Sequence, residues 1–296
     1  MIDAMPQLTI VALSRAPIAE KLVFEIKDQA IQYGKSFHTL GGEISSGPYF
    51  MERWECRDLL EVPQREALRS IAARFNTDLC FLSKYPADIQ VLAMDMDSTL
   101  INIECIDEIA DFTGKKSAVA QITEATMRGE IKDFKESLRR RVGLLEGVSA
   151  DCLEAVYRER LQANPGATEL LTGANARGLY TLLVSGGFTF FTEKLRKQLG
   201  FHQAQANTLE IIDGKLTGKV LGEIVDGAAK AAYLDQACLE LGCSKANAIA
   251  MGDGANDLLM MNGSGISVAY QAKPIVKEKA DAAFDHVGLD AALMLF

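Results

Sequence analysis

Ile89-Gln90-Val91-Leu92-Ala93-Met94-Asp95-Met96-Asp97-Ser98-Thr99 is the stretch on which the reading of the whole chain turns. Residues 89–94 form a short, nearly continuous apolar run, the pattern of a central parallel strand buried on both faces. Two carboxylates and two hydroxyls follow at once. On a continuing strand Asp95 and Asp97 would point to opposite faces. A parallel strand turns at its C-terminal end, however, and ligands bind along that edge of the sheet. By itself a D-x-D pair reads equally well as a solvated loop.

Downstream segments repeat the arrangement. Met251-Gly252-Asp253-Gly254-Ala255-Asn256-Asp257 follows an apolar strand at 248–251, and its glycines allow a tight turn that releases three polar side chains. Val184-Ser185-Gly186-Gly187-Phe188 ends a strand at 180–184 and reads as opening a helix, where a hydroxyl and glycine N–H groups make a phosphate cradle. Lys230 stands early in a helix at 228–241 among small, uncharged neighbours. Each element alone has a bland alternative: a surface turn, an ordinary strand-to-helix connection, a solvated helix face. Together they set four carboxylates at strand ends of one sheet. These repel one another unless a hard cation offsets them, and open oxygen ligation suits Mg²⁺.

Residues 104–161 read as helices with breaks at Gly114, Gly129 and Gly147, and Asn164-Pro165 reads as the N-cap and first residue of the next helix. Strands then alternate with helices: 180–184, a helix to 199, a two-stranded flap around Asp213-Gly214, the helix at 228–241 and the strand at 248–251. Alternating β and α predicts a doubly wound α/β sheet with an all-helical insertion after its first strand. Ahead of a boundary near residues 83–88, strands at 8–13, 37–40, 49–56 and 78–82 and helices at 19–33 and 63–75 follow the β-α-β-β-α-β ferredoxin-like order. In topology this unit is similar to ACT-like modules of amino-acid-pathway enzymes. A folding or dimerisation role stands beside serine sensing.

The 296 residues, 48% apolar and 24% charged, are ordinary globular composition. A net charge of −9 argues against a nucleic-acid or anionic-membrane surface. The apolar stretches are too short and too broken by glycine to span a bilayer. Six cysteines without a C-x-x-C pair, and an N-terminus without signal-peptide character, predict free thiols in the cytoplasm. His38, His202 and His286 form no ligand pattern.

In this fixed order, D-x-D-S-T, S-G-G-F, a lysine and G-D-G-A-N-D resemble the haloacid dehalogenase superfamily. The resemblance is closest to its phosphoserine phosphatase branch, of the bacterial type with an N-terminal extension, and it covers residue 89 to the end. It implies an ACT-like, α+β ferredoxin-like domain at 1–86 and a phosphatase domain at 87–296. The latter divides into an α/β core at 87–103 and 164–296 and a helical cap at 104–163. Asp95 would be the nucleophile and Asp97 the general acid/base, kept because an alkoxide leaving group needs a proton. Mg²⁺ would be held by Asp95, Asp253 and the Asp97 carbonyl, with Asp257 acting through water. Ser185, the Gly186 N–H, Lys230 and Asn256 would take the phosphoryl oxygens. Glu104 would hold a substrate ammonium and Arg141 its carboxylate, one anion and one bidentate guanidinium selecting a zwitterion. Arg139 and Arg140 would be solvated.

The implied activity is hydrolysis of O-phosphoserine to serine and phosphate, the last step of serine biosynthesis. The implied assembly is a homodimer through the N-terminal domain, with no nucleic-acid or membrane partner. Phosphohomoserine, one methylene longer, is a competing substrate. An amino-acid-binding regulator with a vestigial phosphatase half is a competing class.

Overall fold

The computed structural model describes residues 8–83, 88–128 and 130–296. The expected 86/87 boundary, the break at Gly129 and the start of the chain at 1–7 lie outside them. The chain begins with β1 (Leu8–Ser14), α1 (Glu20–Gln32), β2 (His38–Thr39), β3 (Ile44–Ser46), β4 (Tyr49–Cys56), α2 (Val62–Ala73) and β5 (Thr77–Leu82). Antiparallel pairing places β1 between β4 and β5, with β2 outside β4, which is the ferredoxin-like strand order. Between the strands expected at 37–40 and 49–56 lies a further short strand, β3. Gly47, at φ 57°, reverses the chain so that Ile44–Ser46 pairs back onto β4.

Next come β6 (Val91–Met94) and the helices α3 (Cys105–Phe112), α4 (Lys116–Met127), α5 (Phe134–Gly143) and α6 (Asp151–Glu159). The chain then runs α7 (Ala167–Ala176), β7 (Tyr180–Phe188), α8 (Thr189–Leu199), β8 (Gln203–Ile212), β9 (Lys215–Leu221), α9 (Gly227–Glu240) and β10 (Ala248–Gly252). It ends with α10 (Leu258–Met261), β11 (Ile266–Tyr270), α11 (Pro274–Lys279) and β12 (Ala282–Phe284). The last two strands extend the sheet beyond those expected from the sequence. Pairing is parallel from β12 through β11, β10, β6 and β7 to β8. Leu92 and Met94 enter one core and Val91 and Ala93 the other, so β6 is buried on both faces. The chain order reverses at β6, with β7 and β8 on one side and β10, β11 and β12 on the other. The ends of β6 and β10 therefore flank the switch point where open α/β sheets bind ligands.

One local expectation changes. Asn164 does not cap α7, since left-handed Gly166 (φ 83°) holds that position. Asn164 Nδ2 instead donates to Thr99 O (2.8 Å) and Ile101 O (3.1 Å), satisfying carbonyls that the turn after β6 leaves unpaired. Beside it, Ile101 bridges Ala163, so the two ends of the helical insertion are held side by side. The β8–β9 hairpin, the expected two-stranded flap, turns at Asp213 and Gly214, both at positive φ, and meets the helical insertion. Gly147 N–H donates to Leu216 O (2.9 Å) and Ala150 N–H to Gly214 O (2.8 Å).

The N-terminal sheet continues into the core sheet. β5 pairs antiparallel with β12 at Cys80↔Ala282, making one sheet of twelve strands among the described residues. All seven residues of β1 are buried. Leu8, Ile10 and Ala12 pack under α1 and α2, while Val11 and Leu13 join the main core with Tyr270 and Phe284. Asp78 anchors the junction, accepting the N–H groups of Asp285 (3.1 Å), His286 (2.9 Å) and Val287 (2.9 Å). Asp78→Ala strands these donors, so a loss of about 2–4 kcal/mol is expected, each unpaired buried group costing ~1–3 kcal/mol. Thermal unfolding checks this. Unchanged stability would mean that the junction does not depend on Asp78.

Candidate active site

Asp95 emerges where β6 stops. Its Oδ1 accepts the Met96 N–H (2.7 Å), turning the chain into a tight loop in which Ser98 takes φ 57°. That left-handed residue sends Ser98 Oγ to Glu104 Oε1 (2.7 Å), tying the start of the cap to the turn after β6. Met251 of β10 lies opposite Met94 of β6, which brings the second acidic turn alongside. There Asp257 Oδ2 accepts from Asp253 N–H (3.2 Å) and Gly254 N–H (3.0 Å), folding the turn back on itself. Glycine is required at 252, where a Cβ would stand 2.5 Å from Asp257 Cβ.

Lys230 comes from α9. Asp226 caps that helix, its Oδ1 accepting the Ala229 N–H (2.9 Å), which sets Lys230 in the first turn facing inward. Only 1% exposed, its Nζ lies 2.7 Å from both Asp95 Oδ1 and Asp257 Oδ1. Burial alone would push the ammonium's pKa down, but the Asp257 and Asp95 charges override it and raise it. Asp95 is itself raised by burial and by the neighbouring Asp257, against the pull of Lys230.

The Ser185–Phe188 segment is a bulged strand end rather than the first turn of a helix. β7 runs to Phe188 with its register broken after Val184, and α8 starts only at Thr189. Ser185 Oγ is buried and accepts the Gly187 N–H (2.8 Å). A Cβ at Gly187 would come 2.8 Å from Asp97 Oδ2, so the backbone must pass bare beside that carboxylate.

A cavity of about 430 Å³ lies between sheet edge and cap. Of the residues named from the sequence, Asp95, Asp97, Glu104, Arg141, Ser185, Gly186, Asp253 and Asn256 line it. Lys230 and Asp257 are buried beside Asp95, in contact with it or through it. A wider recess of about 690 Å³ between the N-terminal unit and α10 shares none of these residues. Arg141 points into the first cavity, while Arg139 and Arg140 are exposed and Arg140 pairs with Glu136. Burial lowers the Arg141 pKa, countered by Asp107, Glu104 and Asp97.

Asp97 stands apart from the other carboxylates. Its Oδ1 is buried without a hydrogen-bond partner among the described residues. Burial first, then the Glu104 charge, pushes its carboxyl up to about 8, which favours its protonated form near neutral pH. Asp253 rises to about 6 through burial and the Asp257 and Glu104 charges. Carboxylate oxygens of Asp95, Asp253 and Asp257 lie within 4.8 Å of one another. One ammonium cannot offset three carboxylates. An all-oxygen donor set with excess negative charge fits a hard divalent cation.

Residues 92–262 match the haloacid dehalogenase-like hydrolase family. A phosphoserine phosphatase of Polaromonas sp. is 55% identical over 213 residues, covering 71% of this chain and 90% of that one. The chain belongs to the haloacid dehalogenase-like hydrolases, in their phosphoserine phosphatase branch. A probable phosphoserine phosphatase of Vibrio cholerae, solved in unliganded form, superposes with a TM-score of 0.80 at 34% identity, over 97% of this chain and 85% of that one. A solved phospho-aspartyl intermediate analogue of phosphoserine phosphatase matches at TM-score 0.62 and 38% identity, over 68% of this chain and 95% of that one. Phosphatases of this superfamily generally use a divalent metal ion, for which the acidic cluster supplies donors.

The sequence motifs leave several residues that shape this phosphatase site without a role. Asn207, buried in β8, donates through Nδ2 to Gly186 O (2.8 Å) and accepts the Val225 N–H (2.9 Å), fixing the bulge. Thr99 Oγ1 donates to Asp253 Oδ1 (3.4 Å), linking the two acidic turns. Phe134 and Lys273 line the cavity. A lone Asn in a strand has no local pattern to mark it. Lys273 lies in Ala272-Lys273-Pro274, where the proline marks a helix start but says nothing of the lysine's direction.

Proposed function

We propose that the protein hydrolyses O-phosphoserine to serine and phosphate in two in-line displacements. Asp95, aligned by Met96 N–H and Lys230, attacks phosphorus and forms an aspartyl-phosphate. Asp97 holds a proton at neutral pH and gives it to the departing serine oxygen. The resulting carboxylate then takes a proton from the water that cleaves the acyl-phosphate, catalysis of a kind typically worth about 10²–10⁴-fold. Ser185, the Gly186 N–H, Lys230 and Asn256 receive the phosphoryl oxygens. Mg²⁺, held by the Asp95 and Asp253 carboxylates and the Asp97 carbonyl with Asp257 acting through water, would supply positive charge against nucleophile and phosphate. Phe134, Ile106 and Leu138 of the cap wall the site against bulk water.

The observation that carries the substrate is the presence of Glu104 and Arg141 in the same cavity as Asp95 and Asp97. One carboxylate and one half-buried guanidinium match the ammonium and carboxylate of a phospho-amino acid. The relatives named phosphoserine phosphatase favour this ester over phosphohomoserine, and the undamaged set of acidic residues counts against a vestigial regulator. Arg141→Ala is expected to lower kcat/KM for O-phosphoserine by about 10²–10³-fold, mostly through KM, as truncating a buried charge pair costs about 2–5 kcal/mol. Hydrolysis of p-nitrophenyl phosphate, which has no carboxylate, should change much less. Equal losses on both esters would assign Arg141 to cap folding or phosphate binding instead.

The same reading makes the N-terminal unit an ACT-like module that pairs subunits of a cytoplasmic enzyme. Its support is the ferredoxin-like strand order, the exposed Phe24 and Ile31 seven residues apart on α1, and six unpaired cysteines.

A further inference from the structure

The cavity wall carries a cation that none of these roles uses. Lys273 stands at the N-cap position of α11, just past the C-terminal end of β11. Its backbone is firmly held: Lys273 N–H donates to Asp253 O (3.0 Å) and Gln271 N–H to Phe284 O (2.8 Å). Gln271 takes φ 43°, a left-handed conformation that side-chain-bearing residues rarely adopt, and this bend delivers Lys273 to the acidic turn. The Lys273 side chain is exposed at the cavity and makes no ion pair within 4.0 Å among the described residues.

Charge gives this position its meaning. Among the described residues, Asp95, Asp97, Glu104, Asp107 and Asp253 put five carboxyl groups on the wall, against Arg141 and Lys273. The whole chain carries −9. A phosphomonoester, dianionic at neutral pH, therefore meets more carboxyl groups than cationic side chains on this wall. Arg141 is committed to the carboxylate end of the substrate, and Lys230, buried between Asp95 and Asp257, meets the phosphoryl oxygens only once they reach the nucleophile. Among the described residues, Lys273 is the wall cation left to meet a phosphate on arrival, and its charge lowers the Asp253 pKa.

We propose that Lys273 is a substrate-binding residue that captures the phosphoryl dianion at the cavity mouth before it settles against Asp95. This rests on the phosphoester-hydrolase reading and adds to it the step of entry. Capture acts on kcat/KM and KM, and it weakens with ionic strength, because exposed charges are screened.

The test compares wild type, Lys273→Gln and Lys273→Arg on O-phosphoserine and p-nitrophenyl phosphate at fixed Mg²⁺. At about 0.01 M ionic strength, Lys273→Gln should lose roughly 10-fold in kcat/KM on both esters with kcat little changed, the low end of what local fields contribute. Lys273→Arg should keep most of the activity. Near 1 M salt, where the Debye length falls from ~30 Å to ~3 Å, the gap should close to about twofold. No loss, a loss confined to kcat, or a gap indifferent to salt would overturn the assignment. The second ester keeps the two readings separate. A protein that cleaves p-nitrophenyl phosphate but not O-phosphoserine refutes the substrate while still reporting on Lys273.

Discussion

Asp95→Asn should reduce kcat by roughly 10⁴-fold or more, the scale of losing a nucleophile that acts as part of a unit. The substitution removes the attacking charge at nearly constant volume, and Asn Oδ1 still accepts from Lys230. Folding should not suffer. Asp95 is raised by burial and by Asp257, so neutralising it relieves repulsion, and the metal-free variant should melt at or above the wild-type temperature. Borohydride trapping of the phosphorylated wild type, followed by peptide mass mapping, should modify Asp95 alone. Label on Asp97 or Asp253, or appreciable turnover by the variant, would remove Asp95 from its role.

Lys230→Met should abolish activity and also destabilise the protein, because it leaves Asp95 and Asp257 facing each other without their shared cation. Breaking a buried pair from one side typically costs about 3–5 kcal/mol. The pH dependence identifies the cause. Asp95 already sits above its ordinary value, and without the ammonium it moves higher. A carboxyl whose folded-state pKa is raised favours the fold at low pH and loses that contribution as pH rises through it. The deficit should therefore shrink toward about pH 5 and deepen toward about pH 8, measured by thermal unfolding in chelator. A deficit equal at both pH values would point to lost packing of the lysine stem instead.

Residues that act through their own neighbours in the chain are legible from the amino-acid order. Asp95 follows an apolar run, and Gly252 and Gly254 permit the turn that releases Asp253, Asn256 and Asp257. Asn164 misleads for the same local reason. Asn-Pro has the composition of a helix start, but the carbonyls of Thr99 and Ile101 compete for its amide across more than sixty residues. The N-terminal unit also holds a clue to its surroundings. Leu8-Thr9-Ile10-Val11-Ala12-Leu13 is apolar at every position but Thr9 rather than alternating, as suits a strand covered on both faces, and the second cover is the main core.

Hydrophobic period and glycine placement act over a few residues, and they suffice to specify the α/β architecture, the helical insertion and the acidic turns. Which charges meet is settled by packing alone. Lys230 is 27 residues from Asp257 and 135 from Asp95, yet parallel pairing of β6 with β10 and the capping of α9 by Asp226 bring its ammonium to 2.7 Å from both. The same packing joins β5 to β12 and turns Lys273 into the cavity. Side-chain direction and charge neighbourhood come from contacts between distant segments, and no local pattern encodes them.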